Sequence, residues 1–301
     1  MSAFSTVFLS VFVGALPFLL IAVLTSGFIE VFLSRETLAK ILPKHPLAAV
    51  VAVPLLGFVL PLCECGVIPV AGRLVRKGVP LSVALAFMLS NPILNPFPLL
   101  STRTAFSFFP AMVPWRMAAA YAVAVTIGLI VMLMARLDPG TFAVRQYTGG
   151  GLWGILENNP QASAAGFGER LLDALAHASL EFFNVGRFFI LGSLAAAAVQ
   201  VFVPQEALLQ LAEHHLAAVA GMMGFAFVVS ICSEADAFVA AGFLGTFPPG
   251  ALLAFLVFGP MVDIKNTMMM LAAFPKAVVL RLVILIAALT LLAGMAANHW
   301  M

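Results

Sequence analysis

The sequence predicts an all-α polytopic membrane protein made of two inverted repeats, each of three transmembrane helices plus a re-entrant (or broken-helix) hairpin. Three observations predict it: a composition too apolar for water, a series of apolar runs of membrane length, and a motif order that recurs in the second half. The chain has 301 residues, 63% hydrophobic and 9% charged, with a mean hydropathy of +1.11. A soluble domain carries ~25% charged residues, so 15 Lys+Arg and 13 Asp+Glu cannot cover a water-facing surface of this size. Soluble-enzyme and nucleic-acid-binding functions are excluded on that ground, as is disorder, which needs low hydrophobicity and high charge.

A helical crossing takes ~20 apolar residues. The first candidate runs from about Phe4 to Ile29, with Pro17 mid-span, and ends at Glu30 and Arg35. No Lys or Arg precedes it and it is too long for a signal-peptide core, so it reads as a crossing rather than a leader. A polar stretch with Glu36, Lys40, Lys44 and His45 follows. The segment 47–74 is apolar to Leu62, interrupted by Cys63, Glu64, Cys65 and Gly66, and apolar again up to Arg73, Arg76 and Lys77. Further crossings are expected at about 79–100 and 114–135. The second half repeats the order, at about 182–203, then 216–247 interrupted at Cys232–Asp236, then 251–273 and 277–296. The organisation is therefore a first repeat over 1–135, a polar linker over 136–178 and a second repeat over 179–301.

Charge placement orients these spans. Loops near 35–44, 73–77, 136–170 and 276–281 hold eleven of the fifteen Lys+Arg, while Arg103 and Arg116 fall on the opposite side. With the basic loops cytoplasmic, the linker is cytoplasmic and both termini are outside. Basic loops then flank 47–74 on one face of the membrane. Each limb of that segment, about 13 residues or ~20 Å as helix, is short of the ~30 Å hydrocarbon core. A re-entrant hairpin with its tip at Cys63–Cys65 fits; one long kinked crossing is the alternative.

The repeat is visible by motif. Phe58 through Cys65 precedes Phe227 through Glu234 by 169 positions, and Ser90-Asn91-Pro92 through Asn95 precedes Phe258-Gly259-Pro260 through Asp263 by 168. Three crossings per half is an odd number, so the second half enters from the other side. In many secondary transporters this arrangement puts the substrate site at the midplane between the repeats.

A carboxylate at mid-membrane costs roughly 2.5–3.5 kcal/mol on insertion scales. Glu64 at the first hairpin tip, Glu234 and Asp236 at the second, and Asp263 with Lys265 in the following span therefore each need a reason. Asn91 and Asn95 stand beside Pro92 and Pro96; Asp263, Lys265 and Asn266 follow Pro260. Proline removes a donor and clashes with the preceding turn, so both spans are expected to be broken helices whose freed backbone groups can bind a ligand. Structural roles are equally open: Asp263 and Lys265 can neutralise one another or Glu234 as an ionic lock between repeats, and the Asn side chains can cap half-helices. Glu181 and Arg187, nearer a membrane end, read as snorkelling or mutually paired groups.

All three cysteines fall at the hairpin tips: Cys63 and Cys65 on one, Cys232 with Ser233 on the other. Thiolates select soft ions such as Cu(I), and also Zn, and three thiols suit a trivalent metalloid. The Cys-x-Cys spacing is not a usual zinc-ligand pattern.

These motifs resemble a known family. Pro61-Leu-Cys63-Glu-Cys65-Gly66-Val-Ile-Pro69, Ala86-Phe87-Met-Leu-Ser90-Asn91-Pro92-Ile-Leu-Asn95-Pro96 and Ser230-Ile-Cys232-Ser233-Glu234-Ala-Asp236 are similar to the predicted permease family of prokaryotes, whose branches include the ArsP organoarsenical permeases and the YraQ type. The resemblance covers nearly the whole chain. It implies a permease of the cytoplasmic membrane. For the ArsP branch it implies export of trivalent methylated arsenicals, and for other members copper or zinc efflux.

The expected function is thus secondary export of a small inorganic or organometalloid substrate, with Glu64, Glu234 or Asp236 exchanging protons. The candidate substrate-binding residues are Cys63, Glu64, Cys65, Asn91, Asn95, Cys232, Ser233, Glu234, Asp236, Asp263, Lys265 and Asn266, with the three thiols as ligands to the transported metal. No phosphate-binding loop or cofactor motif occurs, so no cofactor is expected. A passive channel, or a thiol oxidoreductase cycling a Cys63–Cys65 disulfide, are the alternatives. The expected partners are the lipid bilayer and the substrate, with a homo-oligomer compatible and nucleic acid excluded.

Overall fold

The computed structural model describes residues 45–58, 64–137 and 215–300, with Pro43, Leu62 and scattered positions between 9 and 24 and between 168 and 194. The described residues are helical and contain no strand. The expected crossings at 4–29 and 182–203 lie outside them apart from isolated positions, as do most of the linker, Glu181 and Cys63; of Cys65 only the backbone is described.

In chain order the elements are α1 (Pro46–Ala52), running into a 3-10 turn (Val53–Phe58), α2 (Glu64–Arg76), α3 (Leu81–Leu94), α4 (Pro96–Ala105), α5 (Met112–Leu137), α6 (His215–Val229), α7 (Asp236–Ala241), α8 (Pro249–Met261), α9 (Ile264–Ala273) and α10 (Lys276–Trp300). Four stretches are long and apolar enough to cross a membrane: α3 with α4 over Leu81–Ala105, α5, α8 with α9 over Pro249–Ala273, and α10. At 1.5 Å per residue, their 25 or 26 residues reach about 37 Å, more than the ~30 Å required. The chain is a multi-pass membrane protein.

Burial separates these four into two kinds. Within their most apolar stretches, 78% of α3–α4 and 83% of α8–α9 is buried in protein, against 39% of α5 and 33% of α10. The two central stretches are the broken ones. Asn95 adopts an extended conformation (φ −61°, ψ 139°) between α3 and α4, and Asp263 does the same (φ −135°, ψ 177°) before α9. Pro92 and Pro260 each stand three positions before the break. The unbroken α5 and α10 lie outside and keep much of their apolar surface uncovered, including Leu133, Leu280, Ile284 and Leu292.

Close packing holds the layers together. α3 packs on α5, on the 3-10 turn and on α2; α8 packs on α6 and α10. Gly128 on α5 permits one such approach, because a Cβ there would sit 2.7 Å from Val50 Cγ1 and 3.1 Å from Ser82 O. Gly294 does the same for α10, where a Cβ would lie 2.9 Å from the Gly250 carbonyl of α8. Directed bonds fix the register: Tyr121 Oη donates to Val51 O at 2.9 Å, and Gly250 N donates to Asn298 Oδ1 at 2.6 Å. Between the halves, α2 packs against α9 and α7 against α4, while α8 meets α3 and α5.

Two arginines are buried, a property not read from the sequence. Arg73, assigned to a cytoplasmic loop, lies inside α2 and is fully buried; Arg116, assigned to the outer side, is fully buried on α5. Both follow from the same limit of hydropathy reading: a lone basic residue near a span end scores as a boundary, although its long apolar stem can be buried when its head finds partners.

Candidate functional site

The site forms where the two helix breaks and the α6–α7 turn converge. Asn95 ends α3, and its Oδ1 accepts from Phe97 N at 3.2 Å, capping α4 with Pro96 at the first helical position. Asp263 caps α9 in the same way, its Oδ1 accepting from Asn266 N. Both capping side chains are buried; of the two asparagines for which the sequence left a capping role open, Asn95 makes a cap, while Asn91 lies within α3. Asn266 also reaches back: its Nδ2 donates to Pro260 O at 3.5 Å. Ser90 Oγ donates to Pro54 O and to Phe87 O, both at 3.2 Å, tying the 3-10 turn to α3. Asn91 is fully buried one turn before the first break.

Two buried ion pairs cross the interface between the halves. Lys265, in the first turn of α9, places Nζ 2.8 Å from Glu64 Oε1 at the start of α2 and 3.7 Å from Asp263 Oδ2. The lock anticipated with Glu234 is therefore made with Glu64. Arg116 on α5 donates from Nη2 to Asp236 Oδ2 at 2.6 Å and to Ser233 O at 3.4 Å. Its Nη1 donates to Thr102 Oγ1 at 2.6 Å, and Thr102 Oγ1 in turn donates to Pro98 O at 2.6 Å. The charged side chains of both pairs are at most 3% exposed. Glu234 is half-buried on the turn between α6 and α7, within electrostatic reach of Lys265 and Arg116.

Arg116 and Thr102 were absent from the candidates read from sequence. A signal existed: Arg116 stands inside an apolar run, where a cation needs a partner. The partner is 120 positions away, so no local pattern identifies it.

Several oxygens at the centre have no hydrogen-bond partner among the described residues: Glu64 Oε2, Ser230 Oγ, Ser233 Oγ, Glu234 Oε2, Asp236 Oδ1, Asp263 Oδ2 and Asn266 Oδ1. A buried oxygen left unsatisfied costs ~1–3 kcal/mol, so each of these asks for a reason. Ser230 adds local strain, with φ at +50° in a non-glycine residue. Cys232, half-buried, sits on the same turn as Ser233 and Glu234. Among the described residues no three His, Cys, Asp or Glu side chains stand close enough together to hold a metal ion. The thiols of Cys63 and Cys65 lie outside the described residues.

Apolar helices of membrane length fit a membrane permease, and comparison with other proteins agrees at that level. The sequence matches the family described as predicted permease over residues 1–299. The chain belongs to the predicted permease family. This permease is 42% identical over 294 residues to UPF0718 protein YcgR of Bacillus subtilis (strain 168), covering 95% of this chain and 94% of the relative. It is 37% identical over 282 residues to a protein of Streptococcus mutans serotype c (strain ATCC 700610 / UA159), covering 92% and 89%. That relative is named, provisionally, as a subunit of a two-component membrane permease complex. No solved structure matches the permease.

Proposed function

We propose that the permease is a secondary transporter that exports a small thiophilic metal or metalloid, a trivalent organoarsenical, Cu or Zn, in exchange for protons. The observation that carries this reading is the crossed pair of buried ion pairs, Glu64–Lys265 and Asp236–Arg116, seated beside two helix breaks. Each pair joins one half of the chain to the other, so movement between the halves has to exchange partners at these side chains. A centre that exchanges charged partners in a low-dielectric setting is suited to a moving proton or ion. The three cysteines around 63–65 and 232 support a thiophilic cargo.

In this reading the halves are inverted repeats, α1 to α2 forms a re-entrant hairpin, the linker 136–178 is cytoplasmic, and the termini lie outside the cytoplasmic membrane. Uptake of arsenicals, Cu or Zn by everted vesicles, with and without an imposed proton gradient, tests it. Gradient-dependent flux that disappears in the Glu64→Gln, Glu234→Gln double variant is expected. Flux persisting at full rate in that variant points to a channel, and no flux of any of these cargoes removes the cargo class.

A second reading has its own support, since the Streptococcus mutans relative carries the name of a complex subunit. Here the permease transports only together with a second protein. Vesicles from cells expressing this chain alone would then be inactive, and vesicles from its native host active.

A further inference from the structure

Arg116 holds the turn between α6 and α7 at two points. α6 ends at Val229, Ser230 takes a left-handed backbone with φ at +50°, and the chain then closes on Cys232 O. That carbonyl accepts from Ala235 N at 2.9 Å and from Asp236 N at 3.1 Å. From α5, Arg116 Nη2 reaches the turn on both sides of Glu234, donating to Ser233 O at 3.4 Å and to Asp236 Oδ2 at 2.6 Å. Arg116, Ser233 and Asp236 are all buried, so water does not compete for these bonds. The two anchors bracket Glu234 and adjoin Cys232, and they limit where the carboxylate and the thiol of the turn can point.

The other arm of the guanidinium ties the turn to the first half. Nη1 donates to Thr102 Oγ1 at 2.6 Å, on α4 and seven residues past the Asn95 break, about 10 Å along the helix. The Thr102 hydroxyl spends its own hydrogen on Pro98 O at 2.6 Å, so toward Arg116 it can only accept. α7 packs against the same helix. A planar fork suits this place, because it offers donors in two directions at a fixed spacing and an ammonium does not. At the corresponding motif position of the first half, 169 residues earlier, Glu64 reaches Lys265 of α9 with its own carboxylate at 2.8 Å. Ser233 carries no charge to do the same, and the anchor comes from α5 instead.

We propose that Arg116 is a positioning residue for the Cys232–Glu234 turn: through Ser233 O and Asp236 it sets how the thiol and the carboxylate are presented, and through Thr102 it makes that presentation follow α4. That the turn meets cargo rests on the transport reading above; its anchoring does not.

The test is the rate at which N-ethylmaleimide labels Cys232, read by mass spectrometry on the purified, cargo-free permease. Arg116→Gln is expected to speed labelling by about tenfold or more, as loss of a charge-assisted bond frees the turn to open locally. Thr102→Val, which keeps the ion pair, is expected to speed it less, and it decides the matter if Arg116→Gln does not fold. Gly128→Ala, which loosens the packing of α5 on α3 and leaves the bonds of the turn in place, is expected to leave the rate unchanged. An Arg116→Leu, Asp236→Leu double variant separates positioning from charge balance. Removing both charges relieves the cost of an unpaired one, so the melting temperature should recover relative to Arg116→Leu while labelling stays fast. A wild-type rate or a slower one in Arg116→Gln, slow labelling restored in the double variant, or equal acceleration in Gly128→Ala overturns the positioning role. An unchanged rate in Thr102→Val overturns the coupling to α4. The expected pattern in a chain that moves none of the proposed cargoes supports the positioning role and refutes the transport reading alone.

Discussion

Lys265 Nζ lies 2.8 Å from Glu64 Oε1 across 201 positions of sequence, so a buried ion pair ties the second half of the permease to the first. The energetics of that contact can be measured. In a double-mutant cycle of Glu64→Gln and Lys265→Met, thermal unfolding in detergent is expected to give a coupling of ~0.5–3 kcal/mol. Lys265→Met leaves Glu64 buried without its counter-charge, a loss that Glu64→Gln relieves, so the double variant is expected to be less damaged than the sum of the two. Additive losses would mean that the contact contributes nothing.

Arg116 makes three bonds, to Thr102, Ser233 and Asp236. Arg116→Leu leaves Asp236 buried and unpaired and is expected to cost ~3–5 kcal/mol. Arg116→Lys is expected not to restore stability, because a single ammonium cannot reproduce the planar fork. Arg103, exposed on α4, is the contrast: Arg103→Ala should cost under about 1 kcal/mol. Melting temperatures of the three variants side by side test the ranking.

Gly128→Ala places a methyl 2.7 Å from Val50 Cγ1 and 3.1 Å from Ser82 O. The carbonyl belongs to a helix and cannot move aside easily. Overpacking of this kind costs ~1–3 kcal/mol, and a lowered unfolding temperature is expected. Gly224→Ala is the control, since a Cβ there meets nothing within 4 Å.

Asn95→Ala removes the oxygen that accepts from Phe97 N and is expected to cost about 1 kcal/mol of stability. Asn95→Asp keeps the acceptor but buries a new charge at a position 2% exposed. If only capping matters, Asn95→Asp should be the more stable variant; the burial cost predicts that it is the less stable one. Thermal unfolding of both decides between these contributions.

Much of this was legible in order along the chain. The breaks at Asn95 and Asp263 were marked by Pro92, Pro96 and Pro260, because proline disrupts a helix through its own ring and missing donor. The choice among Asp263, Glu234 and Glu64 as partner of Lys265 was not legible. A side chain of that length reaches several neighbours, and which carboxylate it meets depends on how α2 packs against α9. The burial of Arg73 and Arg116 was not legible for the same reason: hydropathy records that a charge is present, not what surrounds it.

The sequence by itself determined the class, the apolar stretches and the places where helices stop, since all of these follow from local chemistry: apolar area, span length and the backbone limits of proline. Only the tertiary structure decided which charges meet. Glu64 with Lys265 and Arg116 with Asp236 are contacts between distant segments, created by packing two halves into one interior. In that low-dielectric interior a charge without a partner is costly, so the packing, rather than any short motif, assigns each buried residue its role.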